Sequence, residues 1–340
     1  MGSFGSNSSI KNLWIEHFEC GGWIENADNL NIQHCRFRNN YADGMNLAYG
    51  CKNSVVEHCS YRNNGDDDMA SWSRSTGLCE NNSYSYSTSE NNWRASALGF
   101  FGGKQNKAFN IVIIDPMEAG FRVTCDFPGM PFSSDGFSEF YNISVYKGGV
   151  ASGTVGVSGD LWGNQQGALH INSSSQYDLV NIKIYDIDFY DSKNDAIFIG
   201  SSSRIINNLY LKDINIHRTG RYGIYYYNTK GSGAWCNIQY NQTGSSTNTN
   251  SLPTSFLFKE DCNFTGYHMA IPDTEIKMNA CDGNLYITGL QNKVVSVYDL
   301  LGKKIHQTLV ANNTSILPIM RSGMFIVRWD ENKSRKIFIN

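Results

Sequence analysis

The chain is short of charge. Asp, Glu, Lys and Arg make up 17% of its 340 residues, and the net charge is −3, well under the roughly 25% charged content of an ordinary soluble domain. That balance offers no basic surface for nucleic acid. Only six residues are proline. No run of 18 apolar residues occurs, which excludes an apolar transmembrane helix. The Ala, Glu, Lys and Leu excess of a coiled coil or bundle is missing. No C-x-x-C occurs among the nine cysteines, which argues against a zinc ribbon or a thioredoxin-type site, and their odd number implies no complete disulfide framework. The start, Met1-Gly2-Ser3-Phe4, lacks the basic and apolar regions of a signal peptide. What is present is 41% hydrophobic residues, 32 Gly and 38 Asn. The apolar content suffices for a core, and Asn, Gly and Ser are turn formers. A β-protein with many tight turns is the expectation.

Internal repeats sharpen it. Asn29 to Met45 aligns with Asn53 to Met69 at an offset of 24: His34 falls on His58, Cys35 on Cys59, Arg38 on Arg62, Asn39-Asn40 on Asn63-Asn64 and Asp43 on Asp67. Asn181 to Phe189 aligns with Asn208 to Ile216 at an offset of 27. Inside each repeat apolar residues alternate, as in Leu30/Ile32 and Ile182/Ile184, which is the strand signature. Helical periodicity is absent. Short strands recurring every 22 to 27 residues describe an all-β, right-handed parallel β-helix with one coil per repeat, stacked at about 4.8 Å. Equivalent residues then form ladders. Stacked Asn side chains satisfy one another at turns, buried Cys packs as a small apolar group, and His34/His58 is a structural ladder. His170, His217 and His268 share no motif.

From Asn279 the pattern changes to alternating strands separated by charged turns such as Asp330-Glu331-Asn332-Lys333. A small antiparallel β-sandwich is expected there. The domains are read as 1–272, a β-helix with coils missing at its N-terminal side, and 273–340. The segment Val297-Tyr298-Asp299-Leu300-Leu301-Gly302-Lys303, then Leu317-Pro318, Ser322 to Val327 and the closing Lys336-Ile337-Phe338-Ile339, resembles the C-terminal sorting domain of type IX secretion. That resemblance implies a secreted or surface-attached protein whose partner is the type IX machinery.

With so few charges in the repeats, Asp43 and the run Gly65-Asp66-Asp67-Asp68 stand out. The offset puts Asp43 and Asp67 in one column, with Asp66 diagonal to Asp43 at roughly 6 Å between Cα atoms. Carboxylates this close raise each other's pKa, so one can serve as acid and another as base, the division of labour a glycosidase needs. Strand alternation would send Asp66 and Asp67 to opposite faces, so both reach one site only if Gly65 permits a bend. A Ca²⁺ site and a solvated acidic turn are the alternatives.

The stretches Asn39 to Leu47, Arg62 to Trp72, Glu90 to Ala95, Phe100 to Gly103, Glu118 to Val123 and Asp126 to Gly129 resemble glycoside hydrolase family 87, the α-1,3-glucanases and mycodextranases. The resemblance spans residues 10 to 270. It implies an inverting endo-α-glucanase acting on α-1,3 or mixed α-1,3/α-1,4 glucan, with Asp43, Asp66 and Asp67 catalytic, Asp43 the acid and Asp66 or Asp67 the base. Asp68 stands where that family more often has Gly, and a third carboxylate adds to the site's charge. Trp93, Arg94, Arg122 and Asp126 join Asp68 as expected substrate contacts. No cofactor and no catalytic metal are expected, with a structural Ca²⁺ the one option, and the chain is expected to act as a monomer. A polygalacturonase should carry Gly-His-Gly and Arg-Ile-Lys, and neither occurs; a Ca²⁺-dependent lyase needs a basic residue beside the ion, and none is evident near the triple Asp. A non-catalytic glycan-binding surface fragment is the third reading.

Overall fold

The computed structural model describes residues 2–3, 7–74, 77–125, 131–150, 167–173, 176–201 and 203–264, and in the C-terminal part 277–281, 284–288, 290, 293–300, 302–310, 314–320, 323–330 and 333–339. No helix among the described residues is long and apolar enough to cross a membrane. The chain divides into two compact units, Met1–Phe264 and Thr265–Asn340. The boundary read from the sequence, 272/273, lies outside the described residues.

The first unit is a parallel β-solenoid. Its front sheet stacks nine strands: Gly2–Ser3, Gly22–Glu25, Met45–Ala48, Met69–Trp72, Leu98–Phe101, Phe121–Thr124, Gly167–Ser173, Asp195–Ser201 and Ile224–Tyr227. A second sheet of 13 strands forms the back, with Val55–Glu57, Lys107–Ile114 and Leu179–Tyr190 among them. Every pairing in both sheets is parallel to the equivalent strand one coil away, so Met45 pairs with Met69 and Ile182 with Leu209. These are the offsets of 24 and 27 seen in the repeats. One step is longer: Phe121 pairs with Leu169. Between the sheets lies an apolar column that includes Leu47, Phe37, Tyr61, Phe100, Phe140 and Ile197.

Asparagine earns its abundance at the corners. Asn29, Asn53 and Asn81 have φ of 58°, 52° and 53°, and Asn39, Asn63 and Asn91 have 52°, 55° and 55°. Such left-handed backbone is costly for most L-residues and cheapest for Gly, Asn and Asp. The amides also stack: Asn81 Nδ2 donates to Asn53 Oδ1 at 2.9 Å, and Asn63 Nδ2 to Asn39 Oδ1 at 3.1 Å. Buried Asn40 donates to Asn64 at 2.9 Å. The His34 and His58 rings stack at 5.1 Å, and His58 stacks on Tyr86 at 5.0 Å. Cys35 and Cys59 are buried thiols, and burial pushes Cys59 up to about 12. Cys236 and Cys262 form a disulfide that the sequence did not suggest.

The second unit holds a three-stranded sheet (Lys277–Cys281, Asn284–Thr288, Thr314–Pro318) and a four-stranded one (Lys304–Leu309, Val294–Asp299, Gly323–Asp330, Lys333–Ile339). All their pairings are antiparallel. Leu285, Ile287 and Leu317 of the first sheet share one apolar cluster with Val295, Val297, Phe325 and Val327 of the second.

Candidate active site

The site sits where the chain turns from the back sheet into the front sheet, on three successive coils. Residues 39–44, 63–68 and 91–97 are those turns. Asp43 and Asp67 each lie two residues before paired strand starts, Met45 and Met69, so they share a column. Between Asn63 and Asp68 the backbone bends rather than extending. Gly65 permits this: a Cβ there would collide with the Tyr41 carbonyl and the Trp93 ring. The Asp67 amide donates to Asp66 Oδ1 at 3.0 Å, fixing the two carboxylates on one side.

As a result Asp43, Asp66 and Asp67 converge. One oxygen from each lies within 4.8 Å of the other two. That is tighter than the separation of roughly 6.5–9.5 Å that leaves room for a water between an inverting pair, because the bend brings both members of the second coil beside the first. The same closeness would suit one hard cation.

The three differ in surroundings. Asp43 is 6% exposed and accepts from Asn46 Nδ2 at 2.9 Å. Burial, and then the charge of Asp66, push it up to about 7. Asp67 is buried and accepts from the Ser96 amide at 2.8 Å. Burial, followed by Asp66 and Asp43, holds it well above the usual carboxylate range. Asp66 is half-buried and makes an ion pair with Arg94 at 2.9 Å. The site therefore combines a carboxyl that keeps its proton near neutrality with a carboxylate paired to a cation.

Arg94 is also close to two rings, 5.7 Å from the Trp93 centroid and 5.9 Å from Tyr41. Trp93 is 47% exposed and Tyr41 66%. Trp93 is thus not a core residue, and the two rings meet edge-on at 6.2 Å beside Asp66. Arg122 lies two coils beyond Asp67 and pairs with buried Glu118 at 3.3 Å. It acts on Asp67 through charge, opposing the upward push. Gly99, between them, keeps the floor open: a Cβ there would lie 3.0 Å from Asp67 Oδ2 and 2.8 Å from the Phe101 ring.

Asp68 is not brought to this surface. It turns into the solenoid, is fully buried, and accepts from Asn64 Nδ2 at 2.7 Å and from Ser89 Oγ. Burial pushes it up to about 7. A sugar hydroxyl does not reach it there. Asp126 lies outside the described residues. Sequence reasoning missed Tyr41, Asn46 and Glu118, although all three stand inside the motif stretches. Asn46 was legible in principle, since the third residue after Asp43 is the first outward position of the next strand. It also missed His170, which is buried, stacks on Phe198 at 4.5 Å and is held well below its usual range by burial.

Comparison with known proteins gives these carboxylates a context. No curated protein matches the chain. Among solved structures, the Agl-KA catalytic domain is 31% identical with a TM-score of 0.64, over 77% of this chain and 48% of that one. The catalytic domain of a GH87 α-1,3-glucanase in complex with nigerose is 23% identical with a TM-score of 0.66, over 75% and 48%. The catalytic unit of a thermostable GH87 α-1,3-glucanase from Streptomyces thermodiastaticus strain HF3-3 is 22% identical with a TM-score of 0.67, over 77% and 49%. The chain thus spans about half the length of these solved relatives. The family described as "Alpha-1,3-glucanase catalytic domain D2" matches residues 2–250, which is most of the chain and all of the site. The chain belongs to the α-1,3-glucanase catalytic domain family.

Proposed function

We propose that this chain carries the hydrolytic site of an inverting, endo-acting glucanase for α-1,3-linked glucan, with mixed α-1,3/α-1,4 glucan as the alternative substrate. One observation carries the reading: three carboxylates converge, in a chain of this family, with Asp43 poised to hold a proton near neutral pH. In this mechanism Asp43 donates its proton to the glycosidic oxygen. Asp66, oriented by Arg94, or Asp67 takes the proton of the attacking water. Trp93 and Tyr41 offer ring faces to a pyranose, and Arg94 offers N–H groups to its hydroxyls. Solved relatives support the assignment of the three aspartates. They include single aspartate-to-alanine variants in complex with nigerose or tetrasaccharides, at positions 23 residues and then one residue apart. Asp43, Asp66 and Asp67 have the same spacing.

The test is direct. The 340-residue chain is incubated with α-1,3-glucan and with mixed-linkage α-glucan, and the first product is followed by proton NMR. Release of the β-anomer in oligosaccharides of several lengths supports inversion and internal cleavage. An α-anomer removes the inverting mechanism. No product from either polymer removes the hydrolase reading and leaves a non-catalytic glycan-binding module.

For residues 273–340 we infer a type IX secretion sorting domain, and hence a secreted or surface-attached protein. The order of the motifs from Val297 to Ile339 supports this. In a host with that machinery, a reporter fused to 273–340 should reach the cell surface. Retention in the periplasm with and without the segment would end the assignment.

A further inference from the structure

The outward-facing column of the front sheet changes character along its length. Beside the aspartates it is nearly bare, with Ala70 and then Gly99. Arg122 and His170 follow, and then Phe198 and Tyr225. Tyr227 stands two residues past Tyr225 on the same face and is 52% exposed. The rings are grouped: Phe198 lies 6.0 Å from Tyr225 and 6.2 Å from Tyr227.

A cation is built into this group. The Arg221 guanidinium sits 4.9 Å from the Tyr225 centroid and 5.3 Å from that of Tyr222. It is 3.6 Å from Asp195, which is fully buried and accepts from the Tyr222 amide at 3.1 Å. Asp195 stands two residues before Ile197 as Asp67 stands two before Met69. Met69, Leu98, Phe121, Leu169 and Ile197 pair in succession. Asp195 therefore occupies the column of Asp67 four coils on, roughly 19 Å away at the usual strand spacing. Tyr225 is five steps beyond Ala70, roughly 24 Å.

We propose that Tyr225, Tyr227 and Arg221, backed by the buried Phe198 ring, form a distal glucan-binding subsite, four to five coils from the aspartates, which holds a remote part of the same polysaccharide chain. The exposed Tyr227 ring and the half-buried Tyr225 ring offer faces to the C–H side of a pyranose. The guanidinium, ordered by two tyrosines and Asp195, presents N–H groups to neighbouring hydroxyls without the entropy cost of a free arginine. A substrate too short to cover that distance fills the carboxylate site alone, whereas a polymer reaches both. The inference rests on the α-glucan reading.

The experiment compares wild type with Tyr225→Ala/Tyr227→Ala and with Arg221→Gln, in the 340-residue chain. Hydrolysis is measured on α-1,3-glucan polymer and on its trisaccharide, retention on insoluble α-1,3-glucan by co-sedimentation, and folding by melting temperature. The expected result is a loss of about five- to tenfold in kcat/KM on polymer and in retention, as for one or two aromatic contacts. The trisaccharide rate and the melting temperature should stay near wild type. Equal losses on polymer and trisaccharide, or no loss on polymer with active wild type, overturn the inference alone. A wild type that neither cuts nor retains α-1,3-glucan overturns the functional reading and the inference together.

Discussion

Asp67 and Asp195 occupy equivalent corners of the same solenoid, yet their surroundings diverge. Asp67 faces two other carboxylates, Asp43 on the neighbouring coil and Asp66 beside it on its own. Asp195 faces a guanidinium flanked by tyrosines. Both are buried, and burial raises both, Asp195 to about 6 and Asp67 well above the usual range. The backbone column supplies burial in each case. Under the roles proposed for them, the neighbours decide whether the group serves proton transfer or orders a binding surface.

That contrast can be broken most severely by substitution. Asp67→Asn and Asp43→Asn should each lower kcat on α-1,3-glucan by about 10²–10⁴-fold, the usual contribution of a general acid or base. Asp195→Asn should leave trisaccharide hydrolysis within about threefold of wild type. If Asp195→Asn were as inactive as Asp67→Asn on the short substrate, the two corners would not have separate roles.

The pH profile sharpens the acid side. Asp43 must be protonated to donate, and it is pushed up to about 7. Activity should fall as pH rises through about 7. Arg94 holds Asp43 down through its charge, so Arg94→Gln should move that falling limb to higher pH while lowering the rate. A limb unmoved in Arg94→Gln, or a rate still rising above pH 8, would take the acid role from Asp43.

Asp68 gives a smaller effect, on stability. Its folded value, about 7, lies above its unfolded one, near 4. The native state therefore binds more protons in between, and wild-type stability falls as pH rises from about 4 to about 7, then levels off. Asp68→Asn removes that dependence while keeping an oxygen for Asn64. Its melting temperature relative to wild type should increase between pH 5 and pH 8, by the equivalent of roughly 1–3 kcal/mol. A constant difference across that range would show that Asp68 does not titrate there. Smallest of all, chelation with EDTA should leave trisaccharide hydrolysis unchanged. A loss restored by Ca²⁺ would assign the three oxygens to a cation.

Much of this was legible in the residues, for a physical reason. In a solenoid, sequence repeat and strand register are the same quantity, so the offsets of 24 and 27 place Met45 on Met69 and Ile182 on Leu209. Left-handed corners favour Asn, which explains the composition. Asp43, Asp66 and Asp67 come together because Gly65 allows the bend the reading required. What was not legible depends on side-chain direction in bends and on irregular steps. Asp68 looked like one more surface carboxylate, and alternation back from the inward Met69 would point it outward, but the bend of the corner turns it in to Asn64 and Ser89. Trp93 and Tyr41 sit on corners, where no period says which way a ring points. The pairing of Phe121 with Leu169 breaks the repeat, so Asp195 could not be counted into the column of Asp67 from sequence alone.

That irregular pairing also bears on how the protein would come undone. Elsewhere each coil is tied to its neighbour across fewer than 30 residues of chain in the front sheet, as in Met69 to Leu98 or Ile197 to Ile224. Stacked repeats of this kind gain and lose structure by propagation between neighbours, and a weak junction divides the array into separate cooperative blocks. The Phe121–Leu169 step closes the longest loop of the front sheet, the least favourable closure there on entropic grounds. It falls between the aspartates and the Arg221 cluster. The back sheet bridges that step without interruption, Ala108 pairing with Phe140 and Phe140 with Ile184, so the strands opposite the long loop are what tie the aspartate coils to the Arg221 coils.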